Sequence, residues 1–144
     1  MLVWTKELSV GVVEIDLQHR ELFQRINRLL SALNDRTAEA EVRALFKFLE
    51  SYVVQHFGTE ARYMDKYAMH GYKDAARHKS EHLAFIRDFG EFRTDLEIME
   101  SPQQLIAEFN LWIRNWCFLH IQKVDTGLGV FLQEALPVLS HKKQ

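Results

Sequence analysis

His56 and Glu60 stand four residues apart, and so do His78 and His82. In an α-helix a step of four turns only ~40° past a full circle and rises ~6 Å, so each pair presents two donor groups from one helix face. His19 opens a stripe that continues through Phe23, Ile26 and Leu30, and His120 extends the stripe Phe109, Trp112, Trp116. Asp125 follows five residues later, where the helix is expected to end, so its carboxylate would have to return from a terminal turn. Imidazole and carboxylate groups on apolar stripes carry a desolvation cost unless something pairs with them. A lone histidine in such a place reads as a hydrogen-bonded core residue. Five histidines with a glutamate on the same buried faces read instead as a metal site, which uses all their lone pairs at once.

The elements that would hold these groups are four long helices. Among 144 residues there are only 6 Gly and 2 Pro, and the apolar residues recur at helical rather than alternating spacing. The first helix is predicted from about Leu17 to Asn34, after an arm of sixteen residues without a clear period. The turn Asn34-Asp35-Arg36 leads to Thr37 as N-cap of a second helix that ends near Tyr67. Met69-His70-Gly71 breaks the chain before a third helix from about Lys73 to Ile98. Ser101 as N-cap and Pro102 at the first helical position start a fourth, which runs to about Lys123. Gly127 and Gly129 are expected to interrupt it, leaving Val130 to Leu136 as a short fifth helix or packed tail. Short turns between long amphipathic helices predict an all-α, up-down-up-down antiparallel four-helix bundle, one domain over residues 1–144.

In that bundle the starts of the first and third helices meet the ends of the second and fourth. His19, His78 and His82 lie near starts; His56, Glu60 and His120 lie near ends. All seven donors therefore reach one level at one end of the core. Five imidazoles and two carboxylates exceed what one tetrahedral zinc takes, and they suit two ions of intermediate softness, iron foremost. The Glu-x-x-His pairs of carboxylate-rich di-iron bundles are absent. If both carboxylates and a hydroxide bridge two six-coordinate irons, the five nitrogens leave a single position open. A vacancy among Phe and Trp side chains favours a small neutral ligand, and dioxygen fits, since two ferrous ions can lend it two electrons and take them back.

The order His19, His56-Phe57-x-x-Glu60, His78-x-x-x-His82, His120-Ile121-x-x-x-Asp125 resembles the ligand set of the hemerythrins. Trp4 and the run Gly11 to His19 resemble the bacterial branch, the bacteriohemerythrins, and the likeness extends to about Leu132. The resemblance implies that His78, His82 and His120 hold one iron and that His19 and His56 hold the other, which takes O2. It implies bridges by Glu60, Asp125 and an exogenous hydroxide or oxide, and reversible O2 binding rather than turnover. Relatives often carry a glutamate where this chain has Ala61, a step off the ligand face. Relatives usually place leucine over the O2 pocket at the position of Cys117. Here Cys117 reads as a small buried hydrophobe, with a looser or redox-sensitive pocket as the alternative. Trp116 and Phe23 are the other candidate pocket residues.

The remaining features narrow the function. A net charge of −2 gives no electrostatic reason to expect nucleic acid or an anionic membrane as partner. The single cysteine excludes an internal disulfide. No signal peptide or membrane span is apparent, so a cytoplasmic location is expected. The resemblance implies a monomer that would store, transport or deliver oxygen to an oxygen-consuming enzyme. An O2 or redox sensor acting on a separate partner is one alternative; a di-iron oxidase or peroxidase is another, disfavoured because no spare acid or base is evident on the ligand stripes. His70 and His141 lie off those stripes. Gly127-x-Gly129 is read as a helix breaker, not a phosphate loop, and Glu91, Arg93, Asp95 and Glu97 as solvated helix surface.

Overall fold

The computed structural model describes residues 1–67 and 71–142, with side chains as far as Ala135. Met69 and His70 of the expected break, the side chain of His141 and the basic tail lie outside the described residues. Four helices form the bundle: α1 (Val13–Ala32), α2 (Ala38–Lys66), α3 (Ala75–Ile98) and α4 (Gln103–His120). A π-helical turn, Ile121–Asp125, joins α4 to α5 (Thr126–Lys142). A short 3-10 turn, Lys6–Leu8, lies in the amino-terminal arm. No described helix is long and apolar enough to cross a membrane.

The core follows the apolar stripes. Phe46 of α2 packs edge-on against Phe89 of α3 at 5.3 Å and against Phe109 of α4 at 4.6 Å. Phe85 stacks on Trp112 at 5.1 Å. Ile26 and Leu29 of α1, Leu49 of α2 and Ile113 of α4 are fully enclosed. These contacts make the half of the bundle away from the histidines a dry aromatic and aliphatic interior.

The helix starts differ from the sequence expectation. The first helix begins four residues early because Asp16 ties down the chain in front of it: its Oδ1 accepts from the Val10 N–H at 2.9 Å and its Oδ2 from the Ser9 hydroxyl at 2.5 Å. Gly11, at φ +76°, lets the arm turn there, in a region that L side chains avoid. The arm is ordered: Asn27 exchanges two hydrogen bonds with the backbone of Leu2 at 2.9 and 2.8 Å, and Arg20 covers Trp4 at 4.0 Å. Thr37 does precede α2, but its side chain caps nothing. In α4 the cap position falls on Pro102, one residue later than expected, and no side chain caps it.

The larger correction concerns the carboxyl-terminal part. Gly127 and Gly129 do not interrupt the chain; both lie inside α5. Gly129 serves close packing instead, since a Cβ there would stand 2.5 Å from the carbonyl oxygen of Val10. The amino-terminal arm thus crosses α5 in direct backbone contact. Leu128 and Leu132 pack with Met64 of α2 and with Tyr67, just past its end, to close the histidine end of the bundle.

Candidate metal centre

All seven predicted donors are buried, between 0 and 5% exposed. They gather in two overlapping groups, Glu60, His78, His82, His120 and Asp125 in one, His19, His56, Glu60 and Asp125 in the other. Within each group the donor atoms lie within 4.8 Å of one another. Glu60 and Asp125 belong to both groups, and the groups otherwise differ by one imidazole.

Each helix delivers its donors through its own periodicity, with one exception. His56 and Glu60 meet along α2, with Nε2 2.9 Å from Oε1. His78 and His82 share the face of α3, their rings 4.6 Å apart. Asp125 is the exception, because five steps along an α-helix would leave it about 140° away from His120. The π turn corrects this: the Thr126 N–H bonds to the Ile121 carbonyl, five residues back. One wider turn brings Asp125 over His120, with Oδ1 3.0 Å from His120 Nε2 and 2.9 Å from His78 Nε2. Its Oδ2 lies 2.9 Å from His19 Nε2. No terminal turn returns the carboxylate; it projects from a helix that continues. Single π turns inside α-helices are frequent at functional sites.

The fit to cations rests on orphaned polar atoms. Both oxygens of Glu60, both oxygens of Asp125 and Nε2 of His78 are buried without a properly directed hydrogen bond. Yet the contacts between these carboxylates and the Nε2 atoms are only 2.9 to 3.4 Å long. The atoms are close but point at shared centres rather than along one another. In addition, His19 Nε2 lies 3.0 Å from His56 Nε2, and His82 Nε2 lies 3.1 Å from His120 Nε2. Lone pairs converging in this way satisfy a cation, not each other.

The electrostatics agree. Burial pushes the Asp125 carboxyl up, but His120, His19 and His78 outweigh it and hold the group well below the usual carboxylate range. Glu60 is lowered as well, His56 and His78 overcoming its burial and the neighbouring Asp125. Burial alone would depress His78, but Asp125 and Glu60 raise it to about 9. His82 is lowered, chiefly by its burial. The two carboxylates are thus held as anions by the imidazoles around them, which is the charge a bound cation would meet.

A second ring of residues, which the stripes alone did not reveal, orients the imidazoles. His56 Nδ1 lies 2.6 Å from Gln18 Oε1, His120 Nδ1 lies 3.1 Å from Glu81 Oε1, and His78 Nδ1 lies 3.2 Å from Tyr72 Oη. A carbonyl or carboxylate oxygen there makes Nδ1 the protonated nitrogen and frees Nε2 for metal. Glu81 is the acid that the sequence reading did not find; it sits behind His120, away from the shared centres. Its only sequence signal is its place beside His82. Aromatic faces fix the rings further: Phe57 lies flat on His82 at 3.8 Å, Trp116 on His120 at 4.3 Å and Tyr52 on His56 at 4.9 Å.

Of the candidate pocket residues, Trp116 thus lies against the larger group, over His120. Phe23 is in the core and lines an open cleft beneath the arm with Trp4 and Arg20. Cys117 is fully enclosed, and its thiol is pushed well up by burial and then by Asp125, so it stays neutral.

Comparison with known proteins agrees with this arrangement. Residues 10–131 match the family model described as hemerythrin HHE cation binding domain. The chain is 30% identical over 126 residues to a bacteriohemerythrin of Pseudomonas aeruginosa, covering 88% of this chain and 78% of that protein. It is also 30% identical over 132 residues to a bacteriohemerythrin of Methylococcus capsulatus, covering 90% and 95%. Among solved structures, a wild-type hemerythrin superposes with a TM-score of 0.71 at 28% identity, covering 92% of this chain and 98% of that one.

Proposed function

The chain belongs to the hemerythrin family, and from that premise we propose that it binds dioxygen reversibly at a pair of iron ions held by the seven buried donors. The observation that carries this reading is the inequality of the two groups: they share both carboxylates, but one has three imidazoles and the other two. With both carboxylates bridging, His78, His82 and His120 would complete one ion. His19 and His56 would leave the other a nitrogen short, and a diatomic ligand would find its place there. Two ferrous ions supply the two electrons that dioxygen accepts on binding and returns on release.

The protein's own part is to hold and to exclude. Gln18 and Glu81 keep Nδ1 of His56 and His120 protonated, so that each Nε2 presents its lone pair. Glu81 is steadied by Arg77 at 3.3 Å, and Gln18 donates to Thr59 Oγ1 at 3.3 Å. The stacked faces of Phe57, Trp116 and Tyr52 leave the imidazoles little freedom to swing. The burial of all seven donors would keep bulk water from ions held there, which would favour release of oxygen over its further reduction. These features support a carrier, store or delivery protein rather than a catalyst.

The test is metal analysis combined with optical spectra of the reduced, oxygenated and re-deoxygenated protein. Two irons per chain and a charge-transfer band that appears with O2 and vanishes on its removal are expected. Zinc, or a single metal per chain, would overturn the reading. Consumption of O2 without stoichiometric re-release would replace it with an oxidase.

A further inference from the structure

Among the described residues, nothing packs closely enough on two glycines in the middle of bundle helices to require them. Gly58 of α2 and Gly90 of α3 are helical, and a Cβ at either would meet nothing within 4 Å. Mid-helix glycine costs helix stability relative to alanine, so a packing reason is expected for it. Both lie on the outer face where α2 and α3 run side by side. Two ion pairs mark the ends of that face: Lys79 to Asp65 at 2.7 Å and Arg93 to Glu50 at 3.0 Å. Between them the outward stripes proceed in steps of three and four, and they carry the exposed Val54, Leu83 and Ile86 at 75, 68 and 45%.

The end pairs set the level of every residue between. In antiparallel register Leu83 falls beside Ala61, Ile86 beside Gly58, and Val54 beside Gly90. A large apolar side chain on one helix stands next to a small residue on the other, three times over. The charge is divided in the same way, since both acids are on α2 and both bases on α3.

From this pattern we propose that the α2–α3 face is the interface of a homodimer, covered by the same face of a second copy. A two-fold axis parallel to the helices lays α2 of one copy over α3 of the other and keeps all levels unchanged. Leu83 and Ile86 then enter the hollows at the second copy's Ala61 and Gly58, and Gly90 receives its Val54. At each end Asp65 comes to face Lys79, and Glu50 comes to face Arg93, which turns two exposed ion pairs into two charge quartets. A self-complementary patch is what a two-fold dimer requires. The fifteen-residue span is ~22 Å long and two helices wide, which gives roughly 900 Å² of buried surface in total, the size of a transient interface. The dimer is therefore a concentration-dependent one, and it departs from the monomer expected from the sequence.

Sedimentation velocity of the iron-loaded full chain over a concentration series tests the proposal. A reversible monomer–dimer equilibrium is expected, with dissociation in the micromolar range or weaker. Gly58→Leu, which meets open space in the monomer, should leave thermal stability intact or raise it and weaken the dimer roughly tenfold or more. Glu50→Lys and Arg93→Glu should each be monomeric alone and associate when mixed, because the mixture restores opposite charges across the axis. A chain that stays monomeric up to millimolar concentration would overturn the proposal. So would a dimer indifferent to Gly58→Leu and to the charge mixing.

Discussion

The two halves of the metal centre are built to different tolerances. On the side of His78, His82 and His120, each ring has a fastening of its own: Tyr72 behind His78, Phe57 flat on His82, and both Glu81 and Trp116 on His120. On the other side His56 is held by Gln18 and Tyr52, but His19 Nδ1 is buried with no hydrogen-bond partner among the described residues. The half with more nitrogens is also the half with more support. On the proposed reading, a centre that must keep its metal while one ion gains and loses a ligand would benefit from this division. One ion would be an anchor, and the other would be left with room to react.

Four measurements bear on the difference between the two halves. The largest effect belongs to the residue common to both halves. Asp125→Ala should lose most of both irons by metal analysis and destabilise the metal-free chain by about 3–5 kcal/mol, because His78 and His120 would lose a buried counter-charge and His19 a buried polar neighbour. Retention of a full iron complement would show that Glu60 alone suffices as a bridge.

Next in size is the asymmetry itself. His120→Ala leaves its group two imidazoles, whereas His56→Ala leaves its group one. Iron titration of the two variants should therefore show the second binding only one ion tightly, with O2 binding abolished. Equal losses from both variants would remove the distinction between anchor and reactive ion. A smaller change is expected behind the ligands: Glu81→Gln and Gln18→Leu should each weaken iron binding roughly 10- to 100-fold at the ion they serve. Competition with a chelator would measure it, and an unchanged affinity would mean that the rings are oriented by stacking alone. The smallest effect is predicted for Cys117→Leu. The thiol is enclosed and neutral, so iron content should be unchanged and autoxidation should proceed at the wild-type rate. A faster or slower rate would return Cys117 to the oxygen pocket.

Several of these positions were legible from spacing alone because α-helical periodicity is local. Backbone hydrogen bonds four residues apart fix which side chains share a face, so His56 with Glu60 and His78 with His82 could be paired without coordinates. Antiparallel packing then puts starts against ends, which brings all seven donors to one level, although for Asp125 the expected route was a terminal turn that the structure does not have. The dry interior was equally legible, as Phe85, Phe89, Phe109 and Trp112 stand on stripes that have nowhere else to go.

Asp125 marks where local reading stopped. Its position follows from a π turn whose hydrogen bond spans five residues, and nothing in Ile121-Gln122-Lys123-Val124-Asp125 announces that turn. The turn is favoured by what it achieves elsewhere, bringing the carboxylate to His19 on α1 and His78 on α3. Gly129 is a similar case: read locally it is a breaker, but against the backbone of Val10 it is the only side chain small enough. Gln18, Tyr72 and Glu81 acquire their roles only when a ring from another helix, or from beyond a turn, arrives beside them. The helices, their faces and the chemistry they carry are local properties, because they depend on neighbours three or four residues away. The π turn, the continuous fifth helix and the fastening of each imidazole depend on groups brought close only by folding.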